Sequence, residues 1–186
     1  MDIGDWNPMT ERLDGLAAAL GQGLADQGLT LATAESCTGG WVAKVVTDIP
    51  GSSAWFDRGF VTYSNQAKEE LLGVSPTGLD TQGAVSEVVV REMALGALAR
   101  SHARIALAVS GIAGPDGGSD DKPVGSVWFA WALPSDPWKT EGDGTGTQVH
   151  TQFLCFAGNR EEIRHQAVHV ALERLLELLP APKPGG

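Results

Sequence analysis

The chain has 186 residues, enough for one sizeable core and fitting a single domain of roughly 100–200 residues. Its 13 Lys and Arg stand against 23 Asp and Glu, a net charge of -10, which argues against long-range attraction to nucleic acid or to an anionic membrane. The two cysteines are too few for a disulfide framework, no apolar run reaches the roughly 20 residues that cross a membrane, and the acidic N-terminus carries no signal peptide, so a cytoplasmic protein is expected.

In chain order, residues 11–27 place Leu13, Leu16, Leu20 and Leu24 at helical spacing, and Gly28 stops that helix. Residues 29–34, LTLATA, read as a buried strand, and Gly39 and Gly40 form a turn into a short helix ended by Pro50 and Gly51. A strand over 58–64 is followed by a helix over 65–73. The Pro, Gly and Thr content of 75–83 reads as a loop. Ser86 stands where an N-cap belongs, before a helix that carries Val88, Val89, Met93, Leu95 and Leu98. Residues 104–111 form a strand, 112–123 a loop and 124–132 a β-prone central strand. A last strand alternates Val149, Thr151, Phe153 and Cys155, and an amphipathic helix over 160–179 ends at Pro180.

About five strands alternating with about five helices predict an α/β domain with helices on both sides of the sheet. The last two strands follow each other across the polar stretch 134–146 with no helix between them, so they pair as a hairpin and the sheet is mixed. The chain divides into an N-terminal extension (1–12), the domain (13–179) and a flexible tail (180–186).

The stretch LATAESCTGG, residues 31–40, carries the first chemical signal. If 31–34 is a buried strand, Glu35 to Gly40 lie at its carboxyl end, where α/β folds collect ligands. Ser36 and Thr38 serve there either as helix caps or, with two glycines admitting a ligand to backbone donors, as part of a binding or reacting turn. A reacting serine needs a partner to take its proton. His102, His150 and the one-turn pair His165 and His169 offer no triad or metal set. Lysine is scarce, with Lys44, Lys68, Lys122, Lys139 and Lys183 only, and Lys68 opens a helix directly after a strand end. Cys37, beside Ser36, is the competing nucleophile, ranked second because its side chain points differently in an extended chain. A second polar cluster, VSGIAGPDGG at 109–118, sets Ser110 at another strand end. It lacks both the Rossmann and the P-loop pattern.

The segments AESCTGG, GFVTYSNQAKEELLGV, GAVSE, VSGIAGPDGG and KPVGSVWFA, in that order, resemble the C-terminal domain of the competence/damage-inducible protein CinA, over about Leu13 to Leu179. The resemblance implies a three-layer α/β/α sandwich, a homodimer and the stand-alone form, without the molybdopterin-binding-like domain of longer members. Characterised members hydrolyse the carboxamide of nicotinamide mononucleotide to nicotinate mononucleotide and ammonia, in pyridine nucleotide recycling; no metal or cofactor is expected for this chain.

By the same resemblance the nucleophile falls on Ser36 and the catalytic lysine on Lys68, with Ser110 and Tyr63 orienting or relaying protons. Ser110 departs from the Thr of many relatives; it keeps the hydroxyl and loses a methyl. The resemblance further sets Glu35, Cys37, Thr38, Gly39, Gly40, Asn65, Gly111 and Gly114 along the substrate, while Arg160 and Arg164, one turn apart, either clamp the phosphate or form a solvent-exposed pair bridged to Glu161. Two other readings stay open at this point: a nucleotide-binding module without turnover, and a protein partner in competence or DNA-damage responses.

Overall fold

The computed structural model describes residues 8–136 and 146–181. A five-stranded sheet has the order β2-β1-β3-β4-β5, with β1 at Leu31–Glu35, β2 at Phe56–Val61, β3 at Ile105–Gly111, β4 at Ser126–Pro134 and β5 at Thr147–Cys155. The β1 strand runs parallel to β2 and β3, while β3–β4 and β4–β5 are antiparallel. The sheet is therefore mixed, and its last two strands pair as expected from the missing helix between them. Residues 137–145, within the connection, lie outside the described residues.

Helices α1 (Pro8–Asp26), α2 (Trp41–Thr47) and α6 (Arg160–Leu178) cover one face. Helices α3 (Asn65–Leu72), α4 (Pro76–Gln82) and α5 (Glu87–Ala99) cover the other, completing a three-layer α/β/α sandwich. Strand alternation decides which side chain meets which layer. Leu31, Ile105, Leu107, Val109, Val127, Phe129 and Trp131 face α1, α2 and α6, whereas Ala32, Ala34, Ala106, Ala108, Ala130 and Ala132 face α5. The alanine face lets α5 lie close, and the same crowding holds within that layer. A Cβ at Gly96 of α5 would sit 2.0 Å from the Leu72 carbonyl oxygen of α3.

Two expectations need correction. Residues 75–83 are not a loop throughout: Ser75 accepts from the Gly78 N–H at 3.3 Å, Pro76 occupies the first turn, and α4 follows with Leu79 buried. A preset proline φ and a capped N-terminus outweigh the poor helix propensity of Gly78 and Thr77. The second strand begins and ends earlier than 58–64, because β2 takes its register from β1, and Tyr63 and Ser64 turn out of the sheet before α3.

Ser86 caps α5 and Pro180 follows the end of α6. Helix α1 begins at Pro8 and runs through the boundary drawn at residue 13. Its end is a Schellman turn: Leu29 N–H returns to the Leu24 carbonyl at 2.9 Å, with Gly28 at φ 62. Residues 1–7 of the extension and 182–186 of the tail lie outside the described residues.

Of the six tryptophans, Trp131 is buried and donates its indole N–H to the Ala171 carbonyl at 3.0 Å, and Trp55 is buried against α1. Trp41 and Trp128 are partly buried, and Trp6 and Trp138 lie outside the described residues.

Candidate active site

The site forms where β1 and β3 end side by side. Parallel register pairs Glu35 with Val109, and the Ser36 N–H donates to the Val109 carbonyl at 2.9 Å. Ser36 and Ser110 thus project from neighbouring strand ends on the α3/α5 side. Glu35 and Cys37 point to the opposite layer by the two-residue alternation.

On the α3 side, Ser64 caps the helix through its side chain, accepting from the Ala67 N–H at 3.0 Å, and α3 carries Lys68 inward. Lys68 is only 1% exposed. Its Nζ lies 3.0 Å from Ser36 Oγ and donates to the Thr62 carbonyl at 2.8 Å, and among the described residues no carboxylate forms an ion pair with it. Burial lowers its pKa from the ordinary lysine range by penalising the ammonium form. A lysine whose ammonium form is penalised by burial, set beside a hydroxyl, is an arrangement in which an amine can act as base.

Cys37 is buried among core residues, and loss of hydration pushes its thiol up to about 12. That thiol remains protonated at neutral pH, so the environments separate the two adjacent candidates: Ser36 meets an amine and Cys37 meets the core.

A cavity of about 290 Å³ opens beside the pair. Ser36, Cys37, Tyr63, Asn65, Lys68, Ser110, Gly111, Gly114 and Arg160 all line it. The Ser110 hydroxyl donates to the Ala84 carbonyl at 2.7 Å, which leaves its lone pairs for a donor from the cavity. Tyr63 stands at the mouth, 61% exposed, and its hydroxyl accepts from Arg160 at 2.8 Å. The other Arg160 terminal nitrogen donates to the Gly114 carbonyl at 2.7 Å.

A second, wider cavity of about 780 Å³ adjoins the first through Arg160 and is bordered by Gly39, Gly40, Trp41, Lys44 and Arg164. Arg164 sends Nε to the Cys37 carbonyl at 3.1 Å and a terminal nitrogen to the Thr38 carbonyl at 2.9 Å, and it lies over the Trp41 ring at 5.2 Å. Glu35 is buried and turned away from the smaller cavity. Its carboxylate accepts from the Gly40, Val42 and Ala43 N–H groups at 3.0, 3.0 and 2.8 Å. Thr38 is fully buried.

Three features of the site leave little mark in the sequence. The Thr62 carbonyl that steadies Lys68 is a backbone group and leaves no mark in residue type. The wall at Ala84 and Val85 comes from the GAVSE segment, which has no polar side chain ahead of Ser86 to attract notice. Asp116 and Gly117 of the glycine-rich loop also border the cavity. None of the four histidines borders the smaller cavity. His165 meets Trp41 edge-on at 5.9 Å, and His169 Nδ1 lies 3.6 Å from Glu173 on α6. Among the described residues, no helix is long and apolar enough to cross a membrane.

Fold and site together define a three-layer α/β/α domain with a buried serine–lysine pair at the carboxyl end of its central strands. The chain belongs to the CinA C-terminal domain family, whose profile matches residues 13–179. It is 55% identical over 160 residues to nicotinamide-nucleotide amidohydrolase PncC of Escherichia coli K12, covering 86% of this chain and 90% of that protein. It is 49% identical over 163 residues to the Pseudomonas putida protein of the same name, covering 88% and 94%. Among solved structures, the competence damage-inducible protein A of Klebsiella pneumoniae superposes with a TM-score of 0.81 at 42% identity, covering 90% of this chain and 96% of that one. The Agrobacterium tumefaciens competence/damage inducible protein CihA gives 0.80 at 42% identity, covering 96% and 99%.

Proposed function

We propose that this chain is a nicotinamide-nucleotide amidohydrolase, converting nicotinamide mononucleotide and water to nicotinate mononucleotide and ammonia through an acyl-enzyme on Ser36. The observation that carries the reading is the Lys68–Ser36 contact at 3.0 Å, buried and, among the described residues, without a carboxylate ion-paired to the lysine. The names of the relatives supply the substrate, and the pair supplies a chemistry that suits it.

As Ser36 Oγ bonds to the carboxamide carbon, its proton passes to the lone pair of neutral Lys68. The oxyanion that forms needs N–H donors from the turn. Gly39 N–H is already given to the Ser36 carbonyl at 3.0 Å and Gly40 N–H to Glu35, so this task falls to the Cys37 and Thr38 amides. Lys68 then returns the proton to the leaving nitrogen, the C–N bond breaks, and ammonia departs. Water attacks the ester with Lys68 again as base, and Ser36 recovers its proton as the carboxylate leaves. Ser110, its own proton held by Ala84, receives an N–H of the carboxamide. Arg160 and Tyr63 at the mouth meet the ribose phosphate, and Asn65 borders the same path.

Incubation of the purified protein with nicotinamide mononucleotide tests the proposal. Ammonia and nicotinate mononucleotide are expected in equal amounts. No ammonia above a protein-free control overturns it.

A further inference from the structure

Glu35 and Arg164 grip one short turn from opposite polarities. Glu35 ends β1 and collects three amides of residues 40–43, while Arg164 reaches across from α6 to two carbonyls of residues 37 and 38. Cys37 and Thr38 are buried, and the Thr38 carbonyl also accepts from the Trp41 N–H at 3.2 Å, so the guanidinium ties the turn to α6 at a point where the chain is already packed. Because a trans peptide points its C=O and the next N–H in opposite directions, holding the Cys37 carbonyl toward α6 turns the Thr38 N–H away from α6, toward the side where Ser36 meets Lys68.

We propose that Glu35 and Arg164 are positioning residues that fix the nucleophile turn and its oxyanion donors, with Arg164 acting on the turn and not on the substrate phosphate. The proposal rests on the amidohydrolase reading for its reaction, and it departs from the sequence expectation that Arg164 shares a phosphate clamp. Arg160 is the arginine that borders both cavities and is left with that task. Side-chain alternation explains why one strand end serves both purposes: Glu35 goes to the α2 layer to anchor the turn, and Ser36 goes to the α3 layer to react.

The test compares Arg164→Ala, Arg164→Lys and Glu35→Gln with the wild type, each checked for folding by circular dichroism. Three readouts are taken: turnover of nicotinamide mononucleotide, turnover of nicotinamide riboside, which lacks the phosphate, and the rate at which phenylmethylsulfonyl fluoride labels Ser36, followed by mass spectrometry. A turn displaced by about 1 Å, or missing one oxyanion donor, lowers kcat by about 100-fold and leaves KM within about 2-fold. The loss is expected to be the same for both substrates and to appear equally in Ser36 labelling. Arg164→Lys, which keeps one donor and the charge over Trp41, is expected to recover part of it.

Loss confined to the phosphorylated substrate, with Ser36 labelled at the wild-type rate, overturns the inference and makes Arg164 a phosphate ligand. A wild type that is labelled but releases no ammonia refutes the amidohydrolase reading alone, and the labelling rates of the variants still decide the role of the turn. A wild type whose Ser36 takes no label overturns the inference too, since the turn then holds no nucleophile.

Discussion

Arg160 and Tyr63, 97 positions apart in the chain, meet at the cavity mouth through a hydrogen bond of 2.8 Å. The contact joins the first residue of α6 to the segment between β2 and α3, so one side of the cavity mouth is built from distant parts of the sequence. Arg160→Ala is expected to raise KM for nicotinamide mononucleotide by about 10-fold or more with a smaller change in kcat, as loss of an exposed charge-assisted contact to a remote phosphate requires. An unchanged KM removes Arg160 from the substrate. Tyr63→Phe leaves the arginine in place, and its expected effect on KM is smaller.

Ser36 and Lys68 act as one unit in the proposed chemistry, and their substitutions are expected not to add. Ser36→Ala and Lys68→Ala each lower kcat by several orders of magnitude, and the double variant is scarcely slower than either. Multiplicative losses in the double variant would show two independent contributions in place of a single proton transfer.

Cys37 gives the complementary control. A buried thiol with its pKa near 12 presents almost no thiolate at pH 8, so iodoacetamide is expected to modify Cys155, which is exposed, far faster than Cys37 in the folded protein. Cys37→Ala is expected to keep kcat within about 10-fold, with a stability loss of about 1 kcal/mol for the small cavity it leaves. Loss of turnover in that variant while Ser36→Ala stays active moves the nucleophile to the sulfur.

Much of this site was visible in the sequence because its signals are local. A buried strand ending in Ser36 and glycines, a second ending in Ser110, and a lysine in the first turn of the helix that follows a third strand identify three side chains that the parallel register of β1, β2 and β3 then gathers. What stayed hidden depends on direction or on distance along the chain. Glu35 stands next to the serine in sequence, but its carboxylate belongs to the first turn of α2, and only the alternation of a strand end separates the two. Arg164 meets the Cys37 carbonyl across 127 positions, and its partners are backbone oxygens that no residue type announces. Helix α4 was obscured by Gly and Thr, although Ser75 and Pro76 carried a start signal.

Burying Lys68 costs stability, and the cost has a definite pH dependence. Its folded pKa lies below the unfolded value, so between the two the unfolded chain holds more protons and stability rises with pH. The penalty is complete below the folded pKa and vanishes above about 10.4. Lys68→Met is expected to be more stable than the wild type at pH 7, by about 0.5–2 kcal/mol, with the difference shrinking as pH rises toward the unfolded value. Denaturant midpoints at several pH values measure it. A difference independent of pH places its origin outside the titration of Lys68.

In the proposed chemistry the same lowered pKa sets a pH dependence of the rate. A base must be neutral to accept the Ser36 proton, so kcat is expected to climb with pH up to the pKa of Lys68 in the substrate complex and then level off. That profile alone does not distinguish a lysine that takes a proton from one whose charge holds an oxyanion, because the second case predicts the opposite slope only if no other group titrates. Lys68→Arg separates them: arginine keeps the positive charge and hydrogen-bond donors but does not become neutral in a protein. If Lys68 is the base, Lys68→Arg is as inactive as Lys68→Ala at every pH from 6 to 10, with Ser36 no longer labelled by sulfonyl fluorides. If it supplied only charge, the arginine variant would outpace the alanine variant, and its rate would not fall on the acidic side. Measuring kcat against pH for the wild type, Lys68→Arg and Lys68→Ala therefore decides whether the 3.0 Å contact with Ser36 is the path of a proton or an electrostatic neighbour.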